Sequence, residues 1–418
     1  MRLQNSSEYR SLQNPVSLAA LVAGGLLVAT TNTWAAQPEQ SSSNVIPGLD
    51  VLQQGDFKQL AGLELGLITN HTGVNRQGVS AIQLLHDAKN VELAVVFSPE
   101  HGLEGKLDVS KIGNTEHEKT KLKVYSLYGK TRRPTPEMLK GLDALVFDIQ
   151  DIGTRFYTYI STMGSAMEEA ARHGLEFFVL DRPNPIGGAV VEGPILDDGK
   201  QSFVGYHRIP IRHGMTVGEL ARMFNKELKL GLKLTVIPVQ GWQRSQLFDE
   251  TGLTWINPSP NMRSLTEALL YPGIGLLETT NLSVGRGTET PFEVFGAPWL
   301  DGKKLADALN RAHTPGVRFE PITFTPDASK FEGEDCSGVR IHVTNRSELE
   351  SVRVGLETAY QIRRLCPDDW KIDRYARLLG NDAVLKALKA GKTAAEIETS
   401  YQDDLECFLK RRKAFLLY

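Results

Sequence analysis

The sequence lacks the features that mark several classes of protein. It has only three cysteines, at positions 336, 366 and 407, and no Cys-x-x-Cys pair, which argues against a zinc ribbon and allows at most one internal disulfide bond. Its 47 Lys and Arg residues nearly balance its 50 Asp and Glu residues, for a net charge of −3. A chain without a strong positive field is poorly suited to nucleic acid, so we expect no nucleic-acid partner.

After the N-terminal region, the sequence contains no apolar run near the roughly 20 residues that span a bilayer. The N-terminal region itself has Arg2 and Arg10, a short apolar run at 16–29, and small residues up to Ala36. This layout is typical of a secretory signal peptide. We therefore expect residues 1–36 to be removed and the mature protein, without a membrane span, to be secreted or periplasmic.

The common cofactor and nucleophile motifs are also missing. No G-x-G-x-x-G follows the first predicted strand, and there is no G-x-x-x-x-G-K-[ST], G-x-S-x-G or H-E-x-x-H. A dinucleotide site, a Walker-type nucleotide site, a serine-hydrolase elbow and a zinc-protease site are therefore not indicated. We expect no cofactor and no metal.

The hydrophobic pattern predicts an α/β fold. Short apolar runs predict strands at 65–69, 91–97, 144–149, 176–180 and 234–239, and amphipathic patterns predict helices at 79–88, 160–173 and 216–228. Strands that alternate with helices form βαβ units and a mainly parallel sheet. Thr216 and Glu219 have the spacing of a capping box at the start of the last of these helices.

The pattern changes near Tyr271, where a loop-rich stretch is predicted. Beyond it, the sequence predicts a strand at 337–345, a helix at 351–365, and a helical tail that opens with a capping box from Thr393 to Glu396. We therefore predict one domain at 45–272 and a second, smaller α/β domain at 273–418.

Polar residues follow each of the first four predicted strands. They are Asn70 after the first strand, Glu100 and His101 after the second, Asp151, Arg155, Tyr157 and Tyr159 after the third, and Asp181, Arg182 and Asn184 after the fourth. Ligands of open α/β sheets bind outside the carboxyl ends of the strands. Each residue alone fits a turn or a cap, but four such loops at one edge predict a cleft.

Glu100 and His101 lie between Pro99 and Gly102 in a tight turn after a buried strand. Partial desolvation there would favour the neutral, proton-donating form of a carboxyl group, so Glu100 is a candidate general acid. His101 would orient Glu100 or tune its charge. The alternative is a Glu–His pair that only braces the turn.

The sequence offers further candidates for substrate binding. If 157–159 is extended, Tyr157 and Tyr159 point the same way and suit a sugar ring, although core packing is an equal alternative. Arg155, Arg182 or Arg286 can clamp a carboxylate, or form ordinary ion pairs. The remaining candidates are Thr288 and Glu289 beside the glycine-flanked Arg286, Glu192, and His213 and Asn261 in polar loops. This set of carboxylates, amides, tyrosines and arginines suits carbohydrate chemistry.

Several long motifs occur together in order. They are GLITNHTG, FSPEHG, VFDIQDIGTRFYTYISTM, LDRPNPIGG, VEGP, RHGMTVGELA, NPSPNM and GRGTETPF. With them the chain resembles the exo-β-N-acetylmuramidase family of NamZ type over residues 60–418. The resemblance implies a Rossmann-like N-terminal domain, a smaller C-terminal α/β domain and an active-site cleft between them.

The resemblance also implies an activity: release of N-acetylmuramic acid (MurNAc) from the non-reducing end of peptidoglycan fragments such as MurNAc–GlcNAc, in cell-wall turnover. The carbohydrate is then the partner, and Glu100 of the PEHG motif is the catalytic glutamate. For the second catalytic group we consider Asp151, Glu192, Glu289 or the 2-acetamido group of the substrate. Arg286 or Arg155 would bind the lactyl carboxylate of muramic acid.

Two other functions are alternatives to the glycosidase. A two-lobed periplasmic protein would bind muropeptides or sugars without cleaving them, and a metal-dependent deacetylase or amidase would act on the same substrate. Free MurNAc, formed on incubation with MurNAc–GlcNAc, distinguishes the glycosidase from the binding protein.

Overall fold

The computed structural model describes residues 44–418. The predicted signal peptide at 1–36 lies outside the described residues. Within 44–418, no helix is both long enough and apolar enough to cross a membrane.

Twelve strands form three sheets in this part of the chain. Their bounds are β1 Glu64–Thr69, β2 Glu92–Ser98, β3 Thr115–Glu116, β4 Lys123–Ser126, β5 Ala144–Asp148, β6 Glu176–Leu180, β7 Glu192–Ile195, β8 Pro210–Arg212, β9 Leu234–Ile237, β10 Val294–Ala297, β11 Val317–Phe324 and β12 Cys336–Val343.

The helices pack around these sheets. The α-helices are α1 Gly48–Gln54, α2 Ala81–Asp87, α3 Pro136–Leu139, α4 Tyr159–His173, α5 Val217–Glu227, α6 Leu265–Ile274, α7 Gly302–Arg311, α8 Ser351–Leu365, α9 Ala376–Leu379, α10 Asp382–Lys389, α11 Ala394–Ser400 and α12 Gln402–Arg412. Four 3₁₀ helices span Lys58–Leu60, Phe248–Glu250, Gly275–Thr279 and Ile372–Tyr375.

The seven-stranded sheet has the order β3-β4-β2-β1-β5-β6-β9, and only the short β3 is antiparallel to its neighbour. Its six parallel strands have the Rossmann order, with β1 in the middle and the direction of winding reversed between β1 and β5. The predicted Rossmann-like, mainly parallel sheet is therefore confirmed. Each of the five predicted strands is present, whereas β4, only four residues long, was not predicted.

Both faces of this sheet are covered. Along β5, Leu145 and Phe147 belong to one hydrophobic cluster and Val146 to another, because successive side chains point to opposite faces. The first cluster continues into the C-terminal part of the chain, where it includes Val339 of β12 and Leu356 of α8. The two parts of the chain therefore share a continuous core.

The C-terminal part contains an antiparallel sheet of order β10-β12-β11, which packs against α7, and α7 in turn contacts α8. The predicted helix at 351–365 coincides with α8, and both predicted capping boxes are present. Cys336, Cys366 and Cys407 are all unpaired.

Only the first part of the loop-rich stretch predicted from Tyr271 is instead helical, as far as Thr279, and residues 280–293 do form loops. The predicted boundary at 272/273 falls inside α6. Pro272 and Gly273 suggested a loop, but tertiary packing decides otherwise. A Cβ atom on Gly273 would lie 1.9 Å from the carbonyl oxygen of Ser351. Glycine is needed because α6 and α8 approach each other backbone to backbone.

Candidate active site

Glu100 and His101 line a cavity of about 200 Å³. Its other lining residues come from three regions of the chain: Phe156, Tyr157, Thr158, Tyr159 and Val204; Ser259, Asn261, Met262, Tyr271, Glu278, Thr279, Arg286 and Phe292; and Arg377 and Leu378. We call this space the Glu100 pocket. Residues far apart in sequence are thus brought around one carboxyl group.

Glu100 is held in place by the turn that follows β2. The turn closes with a hydrogen bond from the Gly102 amide to the Pro99 carbonyl at 3.1 Å. The Thr158 hydroxyl, just before α4, donates a hydrogen bond to Oε2 of Glu100. Tyr128 also lies against this carboxyl group, and burial together with its interaction with Glu100 raises the pKa of Tyr128 to about 12.

His101 adopts a left-handed backbone conformation, with φ of 68°. Such a conformation is uncommon for a residue other than glycine and is concentrated at functional sites. Nδ1 of its ring donates to the Leu107 carbonyl at 2.8 Å, since a carbonyl oxygen can only accept. This bond fixes the orientation of the buried ring and leaves Nε2 free of it.

One wall of the Glu100 pocket is aromatic. Tyr157 packs edge to face against Tyr159 and Tyr271, with ring centroids 5.0 and 5.8 Å apart, and Tyr271 packs likewise against Phe292 at 4.7 Å. Such rings suit the apolar face of a sugar. The predicted pair Tyr157 and Tyr159 does line one site. The reasoning from an extended strand was wrong, however, because these residues lie in a turn that enters α4.

The hydroxyl groups of the two tyrosines differ. That of Tyr159 donates to the Pro258 carbonyl at 2.5 Å. That of Tyr157 lies close to Ser259 and Tyr159, but its geometry makes no hydrogen bond with a described residue. Burial raises the pKa of Tyr157 above its usual value. Tyr157 therefore has a protonated, buried hydroxyl without a hydrogen-bond partner among the described residues.

Arg286 lines the Glu100 pocket, as predicted, but it already has two carboxylate partners. Its Nε lies 3.0 Å from Oε1 of Glu278, and its Nη1 lies 3.5 Å from Oδ2 of Asp108. Burial alone would lower the pKa of Arg286, but Glu278, Asp108 and Glu100 raise it. Asn261, another predicted residue, donates to the same Asp108 oxygen at 3.0 Å.

Among the lining residues that sequence reasoning missed are Thr158, Tyr271, Glu278 and Arg377. Glu278 is the second carboxylate among the lining residues. Arg377, at the start of α9, is exposed and forms no ion pair or side-chain hydrogen bond with another residue of 44–418. No local motif distinguishes Arg377 from the other arginines, so only the packing of α9 identifies it.

His71 connects the loops around the Glu100 pocket. Its Nε2 donates to the Asn257 carbonyl at 2.7 Å, and its amide donates to the Leu103 carbonyl at 2.8 Å. The backbone of Gly105 packs closely against the His71 ring, since a Cβ atom at this position would lie 1.8 Å from Cε1 of His71. The loops after β1 and β2 and the segment at 257–262 are thus held together.

Arg155, predicted to clamp a substrate carboxylate, does not line the Glu100 pocket. It is fully buried, and its guanidinium donates to four carbonyl groups, those of Pro194, Ile209, Leu378 and Leu379. Burial lowers its pKa to about 9. Because Leu378 and Leu379 adjoin Arg377, Arg155 positions the wall of the pocket.

Several other predicted residues do not line the Glu100 pocket and instead contact partners elsewhere in the fold. Asp181 accepts hydrogen bonds from Thr216, the Gly218 amide and Tyr418. Arg182 pairs with Asp148 at 2.6 Å. Oδ1 of Asn70 accepts from the amide and hydroxyl of Thr72. The side chain of Asn184 donates to the Met215 carbonyl, and the hydroxyl of Thr288 donates to the Gly285 carbonyl.

The predicted second carboxylates also lie elsewhere. Oε1 of Glu192 pairs with Arg212 at 2.6 Å, and its Oε2 accepts from the Val352 amide at 2.7 Å, which ties β7 to α8. Asp151 is buried behind the pocket, accepts from the Gly153 amide at 2.7 Å, and has its pKa raised to about 7 by burial. Glu289 is exposed.

His213 likewise does not line the pocket. It is fully buried, and its Nδ1 accepts from the Met215 amide at 3.2 Å. Burial and four nearby arginines lower the pKa of His213 to about 3, so its ring is neutral. Within residues 44–418, no group of three or more His, Cys, Asp and Glu side chains is arranged to hold a metal ion.

Comparisons with known proteins agree with this architecture. Residues 65–266 match the family model described as exo-β-N-acetylmuramidase NamZ, N-terminal, and residues 269–418 match the corresponding C-terminal model. The chain is 43% identical over 411 residues to the peptidoglycan β-N-acetylmuramidase NamZ of Bacillus subtilis (strain 168), covering 96% of this chain and 99% of that protein.

Two solved structures of DUF1343 family proteins from Bacteroides fragilis NCTC 9343 are also similar. One has a TM-score of 0.84 at 40% identity, and the other a TM-score of 0.73 at 34% identity. Each alignment covers 90% of this chain and 99% of the other.

Proposed function

Because the chain belongs to the exo-β-N-acetylmuramidase NamZ family, we infer that it is a glycoside hydrolase that releases MurNAc from the non-reducing end of peptidoglycan fragments, such as MurNAc–GlcNAc. This activity belongs to cell-wall turnover. One observation supports it above the others: Glu100 of the PEHG motif lies in a pocket with an aromatic wall and two arginines.

The chemistry follows from the contents of the Glu100 pocket. We propose that Glu100 protonates the glycosidic oxygen as general acid, with Thr158 orienting the carboxyl group. The aromatic wall formed by the tyrosines receives the apolar face of the terminal sugar, and the unpartnered hydroxyl of Tyr157 bonds to one of its polar groups.

Positive charge in the transition state needs a negative partner. We propose Glu278 for this role, because it lines the same pocket and its ion pair with Arg286, 3.0 Å long, holds its carboxyl group in place. Arg377 is then the cation that is left to bind the lactyl carboxylate of muramic acid. Arg286, named for this role from the sequence, instead organises Glu278 and Asp108.

We also propose that the enzyme acts outside the cytoplasm. This rests on the signal-peptide pattern at 1–36. N-terminal sequencing of the protein recovered from the periplasm or the medium should give a chain that starts near residue 37. A cytoplasmic protein that retains Met1 would refute the proposal.

The activity is tested by incubating the purified protein with MurNAc–GlcNAc and separating the products. Free MurNAc and GlcNAc are expected, whereas a binding protein would retain the disaccharide intact. Glu100→Gln should lower kcat by about 10²- to 10⁴-fold, the usual contribution of a general acid. Glu289→Gln is the matched control, since Glu289 is exposed outside the pocket. Equal activity of the Glu100→Gln variant and the wild type would remove Glu100 from the mechanism.

A further inference from the structure

A second cavity, of about 280 Å³, lies at the carboxyl edge of the same sheet. It is lined from the loop after β1 by Val74 and Arg76, from the loop after β5 by Gln150, and from the loop after β6 by Arg182. This is the point where the winding of the sheet reverses, between β1 and β5. In open α/β sheets such a crevice is where ligands bind. We call it the switch-point pocket.

Gln150 and Arg182 line this pocket and are each more than nine-tenths buried. Each has one polar atom without a hydrogen-bond partner among the described residues. Nε2 of Gln150 donates to the carbonyls of Asp151 and Pro183, but its Oε1 has no partner among residues 44–418. Nε and Nη2 of Arg182 bond to Asp148 and to the Val74 carbonyl, but its Nη1 has no partner in the same part of the chain. The pocket thus has one fixed acceptor and one fixed donor.

The rest of the wall has both polar and apolar side chains. Phe248 and Ile256 are among the apolar ones, and Phe248 is itself fixed by edge-to-face packing against Trp255 at 5.2 Å. The guanidinium of Arg76 is exposed at the rim and forms no ion pair with a described residue. A ligand with hydroxyl or amide groups on its edge and an apolar face would satisfy all of these groups.

The chemistry favours a sugar over a nucleotide or a peptide. The loop after β1 lacks the glycine pattern that holds a diphosphate, and Ser80 already caps α2. A peptide with several carboxylates would meet only one unpaired guanidinium here. A sugar ring has both donors and acceptors on its edge, and an apolar face for Phe248 and Ile256.

The two pockets are close together. Ile256 lines the switch-point pocket and Ser259 lines the Glu100 pocket, and three residues of extended chain span at most roughly 11 Å. The hydrogen bond from His71 to Asn257 fixes the loops between them. A glycan whose terminal sugar lies beside Glu100 can therefore continue into the second pocket.

We propose that the switch-point pocket binds a further sugar of the substrate glycan, on the leaving-group side of the bond that Glu100 protonates. This rests on the proposed function of the Glu100 pocket. It follows that the protein binds longer peptidoglycan glycans more tightly than the disaccharide.

Calorimetry with the full-length Glu100→Gln chain tests this without turnover. The probes are MurNAc–GlcNAc and the tetrasaccharide MurNAc–GlcNAc–MurNAc–GlcNAc, and we expect about tenfold tighter binding of the tetrasaccharide. Adding Thr254→Trp, at an exposed position that lines the switch-point pocket, should abolish this difference. Adding Thr323→Trp, at an exposed position on β11, should preserve it.

Steady-state kinetics gives an independent measurement in a chain that retains Glu100. Thr254→Trp should raise the KM for the tetrasaccharide to the value measured for the disaccharide. Equal affinity of the two glycans, no effect of Thr254→Trp, or tighter binding only when stem peptides are attached would each overturn the inference. Failure of the wild-type chain to release MurNAc from the disaccharide would instead refute the proposed function, so the two failures are distinguishable.

Discussion

The hydroxyl of Thr158 donates a hydrogen bond to Oε2 of Glu100, a residue 58 positions earlier in the chain. Glu100 lies after β2 and Thr158 immediately precedes α4, so the pairing depends on how the sheet brings these two loops together. A carboxyl group held in one orientation delivers a proton more efficiently than a mobile one, because less ordering remains for the transition state.

Replacement of Thr158 by valine tests this contact. Valine keeps the shape of threonine but removes the hydroxyl, and an ordinary hydrogen bond contributes about 0.5–1.5 kcal/mol. We expect kcat for MurNAc–GlcNAc to fall about 2- to 12-fold, with little change in melting temperature. An unchanged kcat would show that Glu100 does not depend on Thr158.

Arg377→Gln tests the recognition of the lactyl carboxylate. We expect KM for a chromogenic N-acetylmuraminide to rise about tenfold or more, since a charge-assisted hydrogen bond is lost. Arg374→Gln is the matched control, because Arg374 is exposed in the preceding 3₁₀ helix and does not line the pocket. Equal effects of the two substitutions would exclude Arg377 as the carboxylate-binding residue.

The two tyrosines of the pocket should respond differently to loss of their hydroxyl groups. A buried hydroxyl without a partner costs about 1–3 kcal/mol, so Tyr157→Phe should leave stability unchanged or higher while kcat/KM falls. Tyr159→Phe breaks the bond to Pro258 and should lower stability. Thermal melts and disaccharide kinetics of both variants check this. A less stable Tyr157→Phe protein with normal kinetics would contradict it.

His213 should make folding sensitive to acid. Its pKa is about 3 in the folded chain and 6.5 when unperturbed, so the unfolded state binds an extra proton between these values. The stabilisation is complete above pH 6.5 and is lost as pH falls, at up to about 1.4 kcal/mol per pH unit. Urea unfolding from pH 7 to 4.5 should show a shallower decline for His213→Asn. Parallel curves for the two proteins would refute the assignment.

Much of the fold could be predicted from the sequence. The sequences of β5 and β6 are short apolar runs, because a parallel sheet is buried on both faces. The start of α5 is predicted by the capping box of Thr216 and Glu219. Glu100 and Arg286 could be selected because a strand end and flanking glycines mark them. Residues 271–274 were not recognised as helical, since the contact between Gly273 and Ser351 is invisible in a local pattern.

The sequence by itself determined the positions of five strands of the main sheet and of the polar loops that follow them. It also determined which carboxyl group lies in the PEHG turn. Only the tertiary structure decided which polar residues meet. Arg155 and Arg377 look alike in sequence, yet one is buried among carbonyl groups and the other lines the pocket. The reason is physical, since local side-chain chemistry is encoded residue by residue, whereas burial and partners depend on chain segments hundreds of positions apart.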